Sequence, residues 1–380
     1  MRIKKVKEHF AKGIMGLAGS FSAIVIILII FFLFSQGLDL FKKNKIEDGY
    51  TVMVSKDNPV KKLSSHQLKE IFDGNITSWR MVGGMEKNIV AMHSIDEFMD
   101  NPDLDLESAI VVVPKEYISE CEGMKELNCG KISFKDFFLG KEWMPTATPS
   151  PLFGVLPIIS GTLLVSLCAI LFALPLGICV AIYLSELSEN RTRKILKPTI
   201  EILASIPSVV YGFFGLVVIV PLIQKIFNLD VGQNVLSGAI ILAIMALPTI
   251  ITVSEDAIRA VPRSIKEASL ALGANKWQTI YKVVIPHAIT GIATACVLGI
   301  GRAVGETMAV LMVTGNSAVI PHSLLEPIRT IPATIAAELG EAPMHSAHYE
   351  ALFVLGCILF IITMIINLIV ERISSKNQLA

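Results

Sequence analysis

Residues 259–288 read RAVPRSIKEASLALGANKWQTIYKVVIPHA. Ile265, Ala268, Ser269 and Leu272 recur at helical spacing. Gly273 falls where a glycine ends a helix by taking left-handed backbone. A second helical piece, Trp277 to Val284, runs up to Pro286. The spacing predicts two short helices joined by a glycine bend, a polar and basic knob set between far more apolar stretches. The same residues also fit an amphipathic helix lying on the inner leaflet, which the basic side chains would suit.

The surroundings of this stretch decide what kind of chain carries it. Of 380 residues, 53% are hydrophobic and only 17% charged, and mean hydropathy is +0.62. Soluble domains are about a quarter charged, so the composition is that of an integral membrane protein. The formal net charge is zero, which argues against a nucleic-acid partner. The six cysteines form no CxxC pair, so neither a zinc site nor a thioredoxin-like motif is suggested. No GxxxxGK[ST], HExxH or GxSxG occurs. The chain is therefore not expected to be an enzyme or to hydrolyse ATP itself.

Crossing about 30 Å of hydrocarbon takes roughly 20 apolar residues, and six stretches suffice: 13–36, 155–183, 199–223, 235–254, 288–314 and 350–370. The first has an apolar core too long for a signal peptide and no small-residue cleavage site after it, so a retained anchor is expected. Lys and Arg concentrate in the N-terminal tail, the 184–199 and 255–287 loops and the C-terminal tail, whereas the two short opposite loops hold only Lys225 and Arg329. The positive-inside rule then puts both termini and the 255–287 loop in the cytoplasm and the long 37–152 loop outside.

That long loop is a different kind of sequence, with 14 Lys/Arg against 19 Asp/Glu. Strand-like TVMVS and SAIVVVP alternate with helix-like SSHQLKEIF. Ser64 with Gln67 fits a capping box, and Asp73-Gly74 marks a turn. The domain plan is thus 1–36 (tail and first span), 37–150 (a small α+β extracytoplasmic insert) and 151–380 (the transmembrane domain). Cys121 and Cys129 lie in the insert, where disulfides persist; they are expected to pair, two free thiols being the other reading. On the outer side, 329–338 permits a short amphipathic helix near the interface. His345 and His348 lie close to Glu341 and Glu350, but such spacing is common in polar loops and no metal site is expected.

Residues 301–310, GRAVGETMAV, place Arg302 and Glu306 four residues apart inside the fifth apolar stretch. Charge at bilayer depth is costly and faces the bundle interior or an aqueous path. An i, i+4 spacing puts both on one helix face. Arg302 would offer planar, bidentate donors to an anion. Glu306 would hold the guanidinium in place and speed release by repulsion. The other reading is a paired charge that locks the helix to a neighbour. Gly299, Gly301 and Gly305 read as packing residues; Pro175, Pro207 and Pro248 interrupt spans, as kinks between which a path opens or as ordinary bends.

Glu267-Ala268-Ser269, three residues, Gly273, nine residues, then Val283-Val284-Ile285-Pro286 resembles the EAA signature of ABC importer permeases. The resemblance implies an all-α membrane protein with a six-span, type I (MetI-like) importer bundle. It also implies that the 255–287 loop docks on a separate ATPase, with Glu267, Ala268, Ser269, Gly273 and Pro286 shaping the contact. ATP and magnesium would be bound by that ATPase, and this chain would hold no cofactor. GRAVGETMAVLMVTGN, FGVLPIISGTLLVSL, IPSVVYGFFGL and RTIPATIAAELGEA further resemble the phosphate-specific (Pst) permeases of the PstC type. That implies a PstA-like second permease, a PstB-like ATPase dimer, a PstS-like phosphate-binding protein outside, and a phosphate path past Arg302, Glu306 and Thr307. Residues 56–84 resemble part of a PstS-type receptor, yet the Ser-Gly-Thr that wraps phosphate there is missing near Asn88–Glu97. A docking or regulatory role for the insert is therefore preferred to an independent phosphate clamp, a relic with a purely structural role being the other reading. A permease for another oxyanion, or a membrane phosphate sensor, is the alternative function.

Overall fold

The computed structural model describes the backbone of residues 2–47, 49–101 and 105–376, and the side chains from 12 to 372 within them. The basic side chains of the tail before Lys12, and Lys376, lie outside the described residues. Six described stretches are long and apolar enough to cross a membrane: Lys12–Lys42, Leu156–Leu187, Ser208–Phe227, Val235–Arg259, Lys276–Gly305 and Ala347–Arg372. The chain is thus a multi-pass helical membrane protein, and it divides into two compact units.

The first unit holds helix α1 (Arg2–Asp39), the insert through Gly140, Met144–Gly154 and Ala342–Cys357. Its sheet runs β2 (Val90–Met92), β3 (Ala109–Pro114), β1 (Tyr50–Ser55), β4 (Met124–Glu126), with β1 antiparallel to both neighbours and β2 parallel to β3. Side chains alternate across β1. Val52 and Val54 pack on one side with Leu68, Ile71 and Trp79, and Met53 packs on the other with Met92 and Val111. Full burial of side chains of this size contributes roughly 1.5–3 kcal/mol each. Helix α2 (Ser65–Phe72) supplies Leu68 and Ile71, and its start is fixed as expected: the Ser64 hydroxyl accepts from Gln67 N–H while the Gln67 side chain accepts from Ser64 N–H. Helices α3 (Ile95–Met99) and α4 (Phe134–Leu139) complete the insert.

The expected disulfide is not formed. Cys121 and Cys129 are both free and buried. Cys121 packs with Met53 and Val111, Cys129 with Val52 and Val54, so the two thiols belong to cores on opposite sides of β1. Burial pushes the Cys129 thiol up to about 11.

The second unit is the helical bundle. Helices α5 (Leu156–Ile182) and α9 (Val235–Arg259) form its centre and run through Pro175 and Pro248 without a break. Small residues let them approach: a Cβ at Gly177 would meet the Ile250 side chain at 2.7 Å. A π turn, Tyr183–Leu187, ends the second span. Helix α6 (Asn190–Ser205) has no buried residue and is a separate amphipathic element, not the start of the third span. The apolar run from Thr199 suggested continuity, but Ile206 is extended before Pro207, the conformation a following proline favours. The third span therefore begins at α7 (Ser208–Phe214) and continues through a π turn, Gly215–Ile219, into α8 (Val220–Phe227).

Candidate functional site

The fifth span is one helix with a widened turn. Helix α10 (Arg263–Ala271) ends at Gly273, whose φ of 87° needs the left-handed region. A capping box between Asn275 and Gln278 then starts α11 (Lys276–Thr279). From there a π turn, Ile280–Val284, leads into α12 (Ile285–Gly305). Pro286 has no N–H and its ring crowds the carbonyl four residues earlier. The wider π turn just before it relieves both problems, and the same order, π turn then proline, recurs at Gly215–Ile219 and Pro221. Only the α10 half of the knob is thus a separate helix. The piece expected to stop at Pro286 is the beginning of the fifth span.

The knob is exposed on one side and closed on the other. Glu267, Ala268 and Gly273 are exposed, and Leu272 and Trp277 present 89% and 62% of their surface. Ser269 turns inward, with its hydroxyl 3.0 Å from that of Thr279. It therefore ties α10 to α11 across the glycine bend instead of joining the exposed face.

At its far end α12 stops sooner than the apolar pattern suggested. Gly305 is its last residue, Glu306 is extended with ψ 132°, and α13 (Met308–Val313) starts anew. Arg302 and Glu306 therefore do not share a helix face, and no ion pair joins them. The Glu306 carboxylate instead accepts from Ala309 N–H, 3.5 Å away, at the start of α13. Thr307 donates its hydroxyl to Gly305 C=O at 3.4 Å. Arg302, Glu306 and Thr307 are each half-buried around this break. Such irregular backbone at membrane depth is tolerated where it is buried in protein or lines a cavity.

The glycines divide. A Cβ at Gly299 would meet Ile250 at 2.8 Å, a packing role, whereas Gly301 and Gly305 have nothing within 4 Å. They leave an open surface beside Arg302. Helix α13 is seated by α7, where Gly212 lets Ala309 Cα and Met312 Sδ come within 2.9 and 2.8 Å of its Cβ position.

Beyond α13, Arg329 ties together the segment that follows. Its Nε donates to Asn316 at 3.0 Å, its guanidinium pairs with Glu338, and the Trp143 indole N–H also donates to Glu338. Helix α14 (Ile331–Glu338) was expected at the membrane interface. Instead Ile331, Ala333 and Thr334 are buried, and Ile331 N–H donates to the Thr162 hydroxyl of α5 at 2.9 Å. Its small residues suit a helix folded back into the bundle. The last span is α15 (Ala347–Lys376). Among the described residues, no group of three or more His, Cys, Asp or Glu is placed to hold a metal ion.

Sequence reasoning passed over one cluster. Glu255, at the end of α9, has 1% of its side chain exposed and sits 2.6 Å from Arg193, 2.9 Å from Lys197 and 3.7 Å from Arg259. Burial disfavours the Lys197 ammonium, but its hydrogen bonds to Glu255 and Asp256 outweigh that and hold its pKa above the ordinary lysine value. The signal available was a carboxylate placed beside the basic 184–199 loop.

The arrangement, several spans around a broken helix with an exposed helical knob between two of them, is that of a membrane translocation subunit. Residues 173–378 match the family described as binding-protein-dependent transport system inner membrane component, and the chain belongs to that family. It is 39% identical over 257 residues to the probable ABC transporter permease protein YqgH of Bacillus subtilis (strain 168), covering 68% of this chain and 83% of that one. It is also 39% identical over 249 residues to the phosphate transport system permease protein PstC of Mesorhizobium japonicum, covering 60% and 75% respectively. Among solved structures, the inward-facing MetNI methionine ABC transporter matches at a TM-score of 0.45 and 21% identity, over 57% of this chain and 93% of that one.

Proposed function

We propose that the chain is the PstC-like permease subunit of an ATP-driven phosphate importer, forming one half of the phosphate path. The observation that carries this reading is the helix break at Glu306, which leaves Arg302 half-buried, with no acidic partner within 4 Å among the described residues, beside two open glycines. A guanidinium in that setting supplies charge-assisted donors that suit a phosphate oxyanion. Release stays fast because one cation, not a closed cage, meets the ion. The relatives named as phosphate permeases support the choice of substrate.

The exposed face of α10 and α11, with Glu267, Leu272 and Trp277, serves as the contact for a PstB-like ATPase dimer, which binds the ATP and magnesium. A PstA-like permease supplies the second half of the path, and a PstS-like receptor delivers phosphate from outside. Both termini and the knob lie on the cytoplasmic side, and the insert, on the outer side, is a docking or regulatory module. Closure of the ATPase dimer moves the knobs and rotates the spans, phosphate passes Arg302, and hydrolysis resets the path. Growth of a strain lacking its own phosphate importer, supplied with this chain and its neighbouring subunits, tests the reading. Rescue at micromolar phosphate is expected; rescue on sulfate or molybdate limitation alone identifies a permease for a different oxyanion.

A further inference from the structure

We infer that Glu186, Lys266 and Glu255 form the rigid linkage that carries movement of the α10 knob into the second and fourth spans. They thereby set how tightly ATP hydrolysis by the partner is coupled to uptake. The inference rests on the proposed role of the knob as the ATPase contact.

Helix α10 follows α9 after only Ala260, the buried Val261 and Pro262. So short a connection ties α10 to α9 but does nothing to hold α5 or α6. Two buried charge contacts do that. Lys266, on α10, pairs with Glu186 at 2.5 Å, in the π turn that ends the second span, and both side chains are mostly buried, at 18% and 13% exposed. Its ammonium also lies 3.5 Å from Ile258 C=O on α9. One side chain thus pins the knob to the ends of two spans.

One turn earlier on α9, Glu255 receives Arg193 and Lys197 of α6. Helix α6 buries no residue of its own; these ion pairs, with Lys197 also 3.0 Å from Asp256, join it to α9, and the Tyr211 hydroxyl donates to Leu203 C=O at 2.7 Å. Buried ion pairs are poor sources of stability compared with apolar side chains of similar volume. What they supply here is geometric. Four elements, the π turn at the end of α5, α6, α9 and α10, are joined at a patch that begins at Glu255, eight residues before α10. Pulling on the knob then moves span ends together instead of bending one connection.

The test uses the full complex, reconstituted in vesicles, with phosphate uptake and ATP hydrolysis measured on the same sample. Lys266→Met keeps the stem and removes the charge; Glu186→Gln removes the opposite charge; the double variant Glu186→Lys/Lys266→Glu restores the pair in reverse; Glu255→Gln probes the α6 contact. Copurification of the ATPase confirms assembly of each. The single variants should continue to hydrolyse ATP while phosphate moved per ATP falls by roughly fivefold or more, the low end of typical coupling between sites. The reversed pair should regain most of that ratio. Single variants with the wild-type ratio, uptake and hydrolysis that fall in equal proportion, or a reversed pair no better than the single variants would each overturn the linkage. A wild-type complex that hydrolyses ATP but moves no phosphate would overturn the transport reading itself.

Discussion

The carboxylate of Glu306 accepts from the backbone N–H of Ala309 instead of pairing with Arg302 one turn before it. The two charges of GRAVGET thus have different work. Glu306 caps the helix that resumes after the break, and Arg302 keeps its donors.

This separation predicts an asymmetry. Arg302→Gln should cut uptake roughly 10- to 100-fold, the loss of a charge-assisted hydrogen bond of about 1.5–3 kcal/mol. Exchanging the charges, Arg302→Glu with Glu306→Arg, should not rescue it, because no pair exists to be restored. Recovery of uptake in the exchange variant would show that the two side chains act as a pair after all.

The exposed knob gives a second prediction. Leu272→Asp and Trp277→Ala should reduce copurification of the ATPase subunit without lowering the thermal stability of the permease, since both side chains are exposed. Ser269→Val should act differently. It removes the hydroxyl contact with the buried Thr279 and should lower the melting temperature, at a cost of about 1 kcal/mol for a lost hydrogen bond.

Close packing of α7 on α13 supplies a third. A side chain at Gly212 meets Ala309 backbone, which cannot swing aside. Gly212→Val should destabilise the solubilised protein by about 1–3 kcal/mol, the usual cost of overpacking, and displace the break next to Arg302. Thermal unfolding and uptake should therefore fall together.

The insert predicts free thiols. Cys121 and Cys129 should stay unmodified by a maleimide until the protein is unfolded, and both should then react without prior reduction. Burial pushes the Cys129 thiol from its ordinary 9.0 up to about 11 in the folded protein. The folded state thus holds its proton more tightly between those values. This contribution to stability is present below about pH 9 and is lost as pH rises towards 11. Chemical unfolding of the insert at pH 8 and pH 10.5 should show the loss, and Cys129→Ala should reduce the difference.

Much of this was legible from local pattern, and most of what was not turns on contacts between residues distant in sequence. The capping box at Ser64 and the bend at Gly273 depend on neighbouring residues and stand where the sequence places them, and six apolar spans are found as expected, with the third and fifth shifted. The break at Gly305-Glu306 carries no proline and lies in an unbroken apolar run, so only the seating of Ala309 and Met312 against Gly212 reveals it. The third span starts later than the apolar run suggests, because Ile202, Leu203 and Ala204 belong to the last turn of the amphipathic α6; Pro207 is the better signal. The small residues of α14 fit an interface or a buried contact equally, and only the hydrogen bond to Thr162 decides. The eight-residue spacing of Cys121 and Cys129 says nothing of the strand β4 between them, or of which core each thiol enters.

The central claim is that this chain passes phosphate by Arg302 when a partner ATPase turns over. Its most direct test is accumulation of labelled phosphate in vesicles holding the complete complex, its receptor and internal ATP, in the presence of excess sulfate. The account predicts ATP-dependent phosphate accumulation that sulfate does not suppress and that Arg302→Gln largely abolishes. Accumulation at the wild-type rate in Arg302→Gln, or preference for sulfate, would contradict it.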